Sequence, residues 1–319
     1  MLFNRIRKLR QAGVVGINQR NRSYVMKHNA RQLYHLVDDK VETKLLAQNA
    51  KIPVPALYGL LKTPHDARNF QQLVADKNDF VIKPARGSGG NGILVVAEQR
   101  RNKYFKADGT ALSLREVEHH IQNVLGGVYS LGGHPDAAIV EYRVKFDRVF
   151  EAVSYRGVPD IRVLVYRGVP AMAMLRLPTK QSDGRANLHQ GAVGAGIDMT
   201  SGLTTSAVCD NKRISEHPDF DTPLAGLQIP HWDDILLMAA RCQTLAPLGY
   251  LGVDLVLDAE LGPLVLELNA RPGLAIQIAN GRGLENILDR IDKENTDALS
   301  VEEKAALTGK LAIATHRAA

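Results

Sequence analysis

Cysteines and long apolar runs are scarce in this chain. Only Cys209 and Cys242 occur among its 319 residues, with neither metal-ligand spacing nor the pairs of a disulfide framework. No run approaches the roughly 18 consecutive apolar residues that a membrane helix needs, and the N-terminus lacks the apolar segment and cleavage site of a secretory signal. We therefore expect a protein of the reducing cytoplasm without a structural disulfide, and a peripheral position at the inner membrane surface stays open.

Acidic residues are absent from the first 37 positions, which hold eight of the 40 Lys and Arg residues. The other 32 basic residues face 34 acidic ones, so the net positive charge comes from this segment. Its apolar residues Leu2, Phe3, Ile6 and Leu9 have helical spacing, which predicts a short amphipathic helix. That helix either docks on its own protein or binds an anionic membrane surface or a companion protein. The near-neutral remainder does not support a nucleic-acid partner.

A glycine-rich turn lies between two runs of strand-forming residues, 80–83 and 93–97. Its glycines satisfy the dinucleotide pattern G-x-G-x-x-G, but that fold requires a helix after the loop, where this chain has Ile-Leu-Val-Val. The turn is not a Walker A motif either, because no Gly-Lys-Ser/Thr follows. We predict a flexible loop whose backbone N–H groups close over a polyphosphate, with the Lys83 ammonium group as a point charge.

A hairpin with an acidic face follows in the last third of the sequence. If its strands pair so that Val256 faces Val265, then Asp254 lies opposite Glu267 with the Cβ atoms about 5 Å apart. Two like charges at that distance are destabilising unless a positive group lies between them, and Mg²⁺ prefers carboxylate oxygens. Asn269 points to the same side as Glu267, so these residues predict a site for one or two Mg²⁺ ions that also bind substrate phosphates. The same register predicts an apolar opposite face made of Val253, Leu255, Leu264, Leu266 and Leu268.

Other periodic segments define the fold class. Helical spacing predicts helices over 66–75, 114–124 and 232–245, and a helix with a frayed tail over the last 25 residues. Strands are predicted within 137–144, 160–168 and 169–177, and a polar loop over 179–196. Strand pairs interleaved with helices indicate an α+β protein with mainly antiparallel sheets.

Together these motifs resemble the ATP-grasp superfamily, in particular its RimK-like glutamate-ligase branch and the sugar-transfer-associated ATP-grasp proteins. The matching pieces follow the family's order and are Asp39-Lys40 with Lys44 and IPVP, VIKPARGSGGNGI, IVEY, DIRVLVYRG, NLHQGAVG, GVDLVLD and LELNARPG. The resemblance covers roughly residues 40–284. It implies an α+β ATP-grasp fold whose two lobes grip ATP, with a shortened N-terminal domain. It also implies ATP and Mg²⁺ as cofactors, with Mn²⁺ as a substitute.

The resemblance assigns roles residue by residue. It implies that the ATP phosphates contact Lys40, Lys83 and the lid residues Gly87, Ser88, Gly89, Gly90, Asn91 and Gly92. It implies that the backbone at Glu141 and Tyr142 binds adenine, and it leaves Asp147 and Glu151 as alternatives for the ribose. The implied magnesium ligands are Asp254, Glu267 and Asn269, and the implied catalytic side chains are Arg162, Asn187 and Arg271.

The reaction implied by the resemblance is ATP-dependent carboxylate-amine ligation through an acyl phosphate. Its substrates would be a carboxylate and an amine, such as glutamate or another amino acid and a peptide. Two alternatives stay open, namely a non-catalytic or partner-dependent ATP-binding subunit, and an enzyme acting on a cell-surface sugar-linked substrate. The corresponding division of the chain is 1–38 (basic segment), 39–78 (helical lead-in and linker), 79–145 (lobe with the lid), 146–294 (lobe with the metal hairpin) and 295–319 (C-terminal helix and tail).

Overall fold

The computed structural model describes residues 2–87, 89–101 and 103–316. Within them the α-helices are α1 (Leu2–Gln11), α2 (Ile17–Gln19), α3 (Met26–His28), α4 (His35–Asp38), α5 (Lys40–Asn49), α6 (Pro64–Arg68), α7 (Phe70–Leu73), α8 (Leu114–Leu125), α9 (Trp232–Leu245), α10 (Ala275–Asn280), α11 (Glu285–Asp292) and α12 (Val301–His316). The strands are β1 (Leu57–Leu61), β2 (Phe80–Pro84), β3 (Leu94–Val96), β4 (Glu98–Arg100), β5 (Lys103–Phe105), β6 (Ala111–Leu112), β7 (Ala138–Glu141), β8 (Asp160–Tyr166), β9 (Val169–Leu177), β10 (Val193–Ile197), β11 (Thr204–Cys209), β12 (Lys212–Ile214), β13 (Tyr250–Asp258) and β14 (Gly262–Asn269). Short 3-10 or π-helical turns cover Arg20–Val25, Arg31–Leu33, Leu131–Gly133, Arg148–Val153, Leu188–Gln190 and Thr296–Ala298.

The chain forms two compact units. The smaller unit consists of residues 39–41 and 54–144, and the larger unit consists of residues 1–38, 42–53 and 145–319. Each unit combines helices with antiparallel sheet, so the predicted α+β class is confirmed.

The smaller unit is built on a four-stranded antiparallel sheet in the order β1-β7-β2-β3. Helix α8 begins with a capping box, in which Ser113 and Glu116 satisfy each other's backbone N–H groups. The helix contributes Ile121 to a core that also contains Phe80 and Tyr104. Because β3 pairs antiparallel with β2 directly after the glycine loop, the sequence-based exclusion of a dinucleotide-binding fold is confirmed.

The larger unit is built on a seven-stranded antiparallel sheet in the order β12-β11-β10-β9-β8-β13-β14. Leu164 and Met172 from the sheet form a core with Ile276 of α10 and Leu288 of α11. The hairpin with the acidic face is β13 and β14, which therefore lies at one edge of this sheet with β8 as its inner neighbour.

Two of the predicted elements differ from the structure. The helix expected over 66–75 is divided into α6 and α7, with Asn69 between them. The loop expected over 179–196 was wrong in its last part, because strand β10 begins at Val193. This strand contains small residues because α10 lies close to it: a Cβ atom on Gly196 would be 2.8 Å from the carbonyl oxygen of Ala279.

The basic N-terminal segment has two parts. The predicted helix is present as α1, whereas the side chains of Leu2, Phe3 and Ile6 lie outside the described residues. The segment that follows α1 belongs to the core of the larger unit, where Val15 and Tyr24 are buried. Among the described residues, the helices include none that is long and apolar enough to cross a membrane.

Asn29 fastens this segment to the sheet. Its buried side-chain amide donates to the carbonyl oxygens of Tyr250 and Ala270, both at 2.8 Å, and its Oδ1 accepts from the Tyr250 backbone N–H at 2.9 Å. The residues after α1 are therefore part of the folded unit rather than a detachable arm.

We expect Asn29→Ala to lower the free energy of unfolding by about 3 kcal/mol, since it removes three buried hydrogen bonds and leaves their backbone partners unsatisfied. Urea denaturation followed by circular dichroism measures this change. Asn18→Ala is the matched control, because Asn18 is exposed in the same segment. Equal unfolding midpoints for the two variants would contradict the role given to Asn29.

Candidate functional site

The glycine loop of the smaller unit connects β2 to β3. Gly89, Gly90 and Gly92 have φ angles of 66°, 79° and 76°, in the left-handed region that favours glycine. The predicted lid residue Ser88 lies outside the described residues. This backbone can present successive N–H groups in the way that a phosphate-binding loop requires.

Lys40 contacts the start of this loop. Its ammonium group donates to the carbonyl oxygen of Gly87 at 2.6 Å, and its backbone N–H donates to that of Ala85 at 3.2 Å. Helix α5 begins at Lys40, which places the side chain beside the loop. The structure thus brings together the two elements that the resemblance implies for phosphate contact.

Lys83 has a buried carboxylate partner. Its Nζ atom lies 2.5 Å from Oε1 of Glu141, and the two residues are only 7% and 3% exposed. They lie on neighbouring strands, because β2 pairs with β7 in a register that places Lys83 opposite Ile139. A buried charge requires a partner, so this ion pair contributes to the fold of the smaller unit whatever Lys83 binds in addition.

The residues expected to bind adenine lie where β7 ends. Glu141 is opposite Leu57 on one side and Val81 on the other, so this part of the backbone is held in the middle of the sheet. The backbone N–H of Tyr142 donates to the carbonyl oxygen of Ala56 at 2.8 Å. These contacts fix the main chain at the position that the resemblance assigns to adenine recognition.

In the larger unit, the acidic hairpin has the predicted pairing at the end that carries Asp254. Asp254 lies opposite Glu267, and Gly252 lies opposite Asn269. The register then shifts by one residue between Asp254 and Leu255. The predicted pairing of Val256 with Val265 is therefore wrong, because it lies beyond this shift.

The shift changes which apolar residues share a face. Val256 faces Leu264 instead of Val265, and Leu266 is the extra residue of β14. Because opposite residues point to the same side, Leu264 lies on the face of Asp254 and not on the opposite face, where the sequence analysis placed it. Such a bulge is decided by packing, so the alternation of apolar and polar residues in the sequence does not reveal it.

Two partly buried arginines contact Asp254. The Arg162 Nε and Nη2 atoms lie 2.6 and 2.5 Å from its two carboxylate oxygens, and Arg176 Nη2 lies 2.8 Å from Oδ2. Arg176 also donates to the two carboxylate oxygens of Asp160 through Nε and Nη2, the latter at 2.6 Å. Asp254 is 1% exposed, so its carboxylate is buried rather than solvent-facing.

These contacts decide the charge of the carboxyl groups. Burial alone would raise the pKa of Asp254, but Arg162 and Arg176 hold it well below its usual range. Burial raises the pKa of Asp160, and the attraction of the Arg176 guanidinium opposes that rise. Asp254 is therefore ionised at neutral pH, as a metal ligand must be.

The donor set suits magnesium, although part of it is already engaged. Two carboxylates and a side-chain amide on adjacent strands are ligands of the kind that Mg²⁺ accepts. In this structure the Asn269 amide donates to Asp254 Oδ2 at 3.3 Å. Among the described residues there is no cluster of three His, Cys, Asp or Glu side chains that could hold a metal ion by themselves. Asp254, Glu267 and Asn269 would therefore hold the ion together with other oxygen ligands, such as water and substrate phosphate.

The three side chains expected to be catalytic are not equivalent. Arg162 contacts Asp254 directly. Asn187 instead caps a 3-10 turn by accepting from the backbone N–H of His189 at 3.0 Å, and the Arg271 guanidinium lies 5.4 Å from the ring centre of Tyr34. Of the three, Arg162 therefore lies in the charged cluster at the hairpin, whereas the contacts of Asn187 and Arg271 lie elsewhere.

The two candidates for ribose binding also differ in their surroundings. Asp147 caps the following 3-10 turn by accepting from the backbone N–H of Val149 at 2.9 Å, whereas Glu151 is exposed. The cap gives Asp147 a structural role of its own.

Sequence reasoning missed Arg176 and Asp160. Both are charged residues in strands that are mainly apolar, and that placement was the available signal. They lie opposite each other in the β8–β9 ladder, a pairing that the structure shows and that spacing alone did not reveal.

The comparisons with known proteins cover most of the chain. Residues 19–293 match the family model described as "Sugar-transfer associated ATP-grasp". A "Probable alpha-L-glutamate ligase" of Halorhodospira halophila is 25% identical over 258 residues, covering 81% of this chain and 63% of the relative. The "Ribosomal protein bS6--L-glutamate ligase" of Escherichia fergusonii is 28% identical over 236 residues, covering 74% of this chain and 56% of the relative. The chain thus spans less than two thirds of the length of either curated relative.

Among solved structures, the D-alanine-D-alanine ligase from Coxiella burnetii is similar to this chain. The alignment covers 90% of this chain and 64% of the ligase, with 16% sequence identity and a TM-score of 0.47. A likeness at that score carries no argument about the function of this chain.

The buried Lys83 and Glu141 pair gives a prediction about stability. We expect Lys83→Ala to lower the free energy of unfolding by about 3 to 5 kcal/mol, because it leaves the Glu141 carboxylate buried without its cation. The double variant Lys83→Met with Glu141→Gln should recover most of this loss. Urea denaturation measures both changes, with Lys62→Ala as an exposed-lysine control in the same unit. A wild-type midpoint for Lys83→Ala would show that the pair does not stabilise the fold.

Proposed function

The chain belongs to the sugar-transfer associated ATP-grasp family, and on this premise we propose that it is an ATP-dependent carboxylate-amine ligase. The observation that carries the proposal is the pair of Asp254 and Glu267, opposite each other on adjacent strands beside two partly buried guanidinium groups. Such a cluster combines ligands for a divalent cation with positive charge for phosphate oxygens. The two relatives named above are described as L-glutamate ligases, which supports an amino acid as one substrate.

The proposed reaction has two steps. A carboxylate oxygen of the first substrate attacks the γ-phosphorus of ATP, the bond to the bridging oxygen breaks, and ADP leaves with that electron pair. The amine nitrogen of the second substrate then attacks the acyl carbon, phosphate leaves, and the nitrogen loses a proton. The products are an amide, ADP and phosphate.

Phosphoryl transfer depends on positioning and charge neutralisation more than on a covalent nucleophile. We assign the neutralisation of the γ-phosphoryl group to Arg162, with Asn187 and Arg271 as further contacts to the reacting groups. Asp254, Glu267 and Asn269 would hold magnesium, whose positive charge would reduce the repulsion between the phosphate groups and the attacking carboxylate.

The smaller unit also has proposed nucleotide contacts. We assign phosphate contacts to Lys40, Lys83 and the glycine loop, and adenine recognition to the backbone at Glu141 and Tyr142. An acyl phosphate hydrolyses in water, so exclusion of water is the role proposed for the loop when it closes.

A second candidate function is transfer to a sugar-linked acceptor, which the description of the family model favours. Untargeted screening separates the two candidates. ADP release is measured with amino acids, short peptides and amino sugars as substrates, and the products are identified by mass spectrometry. A new amide between amino acids or peptides supports the ligase proposal, and an adduct of the sugar supports the second candidate. Nucleotide binding without any turnover would indicate a non-catalytic subunit.

We expect Glu267→Gln to reduce turnover to background, because it removes one of the two carboxylate charges that would hold the ion. Steady-state ADP release, measured over a range of Mg²⁺ concentrations, tests this. Glu260→Gln is the matched control, since Glu260 lies exposed in the turn of the same hairpin. Asp254→Asn is less informative, because it also disrupts the buried contacts with both arginines. Full activity of Glu267→Gln would rule out its assignment as a magnesium ligand.

We also propose that α1 binds an anionic membrane surface. The described side chains of this helix are exposed, including Arg7, Lys8 and Arg10, and Leu9 is 53% exposed. The helix is anchored just after its C-terminal end, where the carbonyl oxygen of Gly13 accepts from the Glu285 backbone N–H at 3.0 Å. A basic helix that carries apolar side chains and is anchored to a folded unit is suited to bind the negative surface of a bilayer.

Removing α1 alone tests this surface. We expect full-length protein to co-sediment with phosphatidylglycerol vesicles and a variant starting at Ala12 to remain in the supernatant. Binding should weaken as salt rises, because screening shortens the reach of the attraction to about 8 Å at physiological ionic strength. A deletion as far as Arg31 would be unsuitable, since it removes buried Val15 and Asn29. Equal sedimentation of the two proteins would rule out the membrane and leave a companion protein as the alternative.

A further inference from the structure

The second end of the glycine loop, at Gly92, contacts a side chain that has no role in the proposed function. The carbonyl oxygen of Gly92 lies 3.1 Å from Nε2 of His120, which projects from α8. Because a carbonyl oxygen only accepts, Nε2 must carry the hydrogen. Burial lowers the pKa of His120, which favours a neutral ring with its hydrogen on that nitrogen.

An aromatic ring packs against the same residue. A Cβ atom placed on Gly92 would lie 2.5 Å from the ring of Tyr129, and the φ angle of Gly92 is +76°. The rings of Tyr129 and His120 are themselves in contact, with centroids 5.6 Å apart. The backbone at Gly92 is thus held by a hydrogen bond on one side and by close packing on another.

The first end of the glycine loop, at Gly87, is held by Ser130, the residue that follows Tyr129. Gly87 forms an isolated β-bridge with Ser130, and the Ser130 hydroxyl donates to the Asp136 carboxylate at 2.9 Å. The same carboxylate accepts from the backbone N–H of Arg86 at 3.0 and 3.2 Å. Because Tyr129 and Ser130 are adjacent, one short segment contacts both ends of the loop.

We propose that His120 and Tyr129 are positioning residues that fix the Gly92 end of the glycine loop, so that nucleotide affinity depends on side chains that do not touch the nucleotide. We call these two residues and their contacts the Gly92 anchor. The inference rests on the proposed function, because it takes the loop to bind the phosphates of ATP.

The physical effect is preorganisation. A loop whose ends are fixed loses less conformational freedom when it closes on phosphate than a loop with one loose end. Removing one neutral hydrogen bond changes an equilibrium constant by about fivefold. We therefore expect a weakening of nucleotide binding of about that size when His120 cannot donate, with a rise in KM for ATP and a much smaller change in kcat.

Two substitutions separate the contributions of His120. His120→Phe keeps a ring beside Tyr129 and removes the donor, whereas His120→Gln keeps an N–H donor and removes the ring. His119→Phe is the matched control, because His119 is exposed on the same helix. Affinity for the magnesium complex of AMP-PNP is measured by calorimetry, and the amide hydrogen exchange of residues 89–93 is measured in nucleotide-free protein. Thermal unfolding shows whether each variant is folded.

The inference predicts weaker AMP-PNP binding and faster exchange at 89–93 for His120→Phe, partial recovery for His120→Gln, and wild-type behaviour for His119→Phe. Wild-type affinity and wild-type exchange in folded His120→Phe would overturn it. If the wild-type protein binds no nucleotide, the proposed function fails instead. The exchange measurement on nucleotide-free protein then still decides whether the Gly92 anchor holds the loop.

Discussion

Four charged side chains lie together inside the seven-stranded sheet of the larger unit. Asp160, Arg162, Arg176 and Asp254 belong to three successive strands, and each acid is held by at least one guanidinium group. Their charges balance, which makes their burial tolerable, whereas the loss of any one would leave an uncompensated charge in the interior. The network also fixes the register of β8 against β13 at Arg162 and Asp254, and hence the position of Glu267 on the next strand. The geometry proposed for the metal and the phosphate therefore depends on this network.

The same arrangement recurs in the smaller unit, where Lys83 and Glu141 are buried together. In both units, residues proposed to contact ATP are also residues that hold neighbouring strands. A loss of activity on substitution has two explanations at such positions, a lost ligand contact or a weakened sheet. Substitutions that keep the shape of a side chain, such as Glu267→Gln, are therefore more informative at such positions than truncation to alanine. His120 differs from these residues, because its contact is with the loop backbone at Gly92 rather than with a strand.

Much of the fold and of the candidate site could be predicted from the sequence, and the predictions that were wrong share a cause. The alternation of apolar and acidic residues was sufficient to place Asp254 opposite Glu267, because side-chain direction in a strand has a fixed period. The register shift beyond Asp254 could not be predicted, since a bulge is decided by packing against other strands. Arg176 was missed because its partner lies on a different strand, and strand β10 was missed because small residues have little strand preference of their own. In each case the missing information was a contact between residues distant in sequence.

The central claim is that the protein activates a carboxylate with ATP, and hydroxylamine trapping tests it most directly. Hydroxylamine attacks an acyl phosphate and gives a stable hydroxamate, so the amine substrate need not be known. The protein is incubated with Mg²⁺, ATP, hydroxylamine and a panel of amino acids and short peptides, and hydroxamate and ADP are quantified together. The account predicts a hydroxamate of at least one carboxylate, formed in an amount equal to the ADP and absent without ATP. ADP released in a carboxylate-dependent reaction without hydroxamate, beside a stable phosphorylated product, would contradict it.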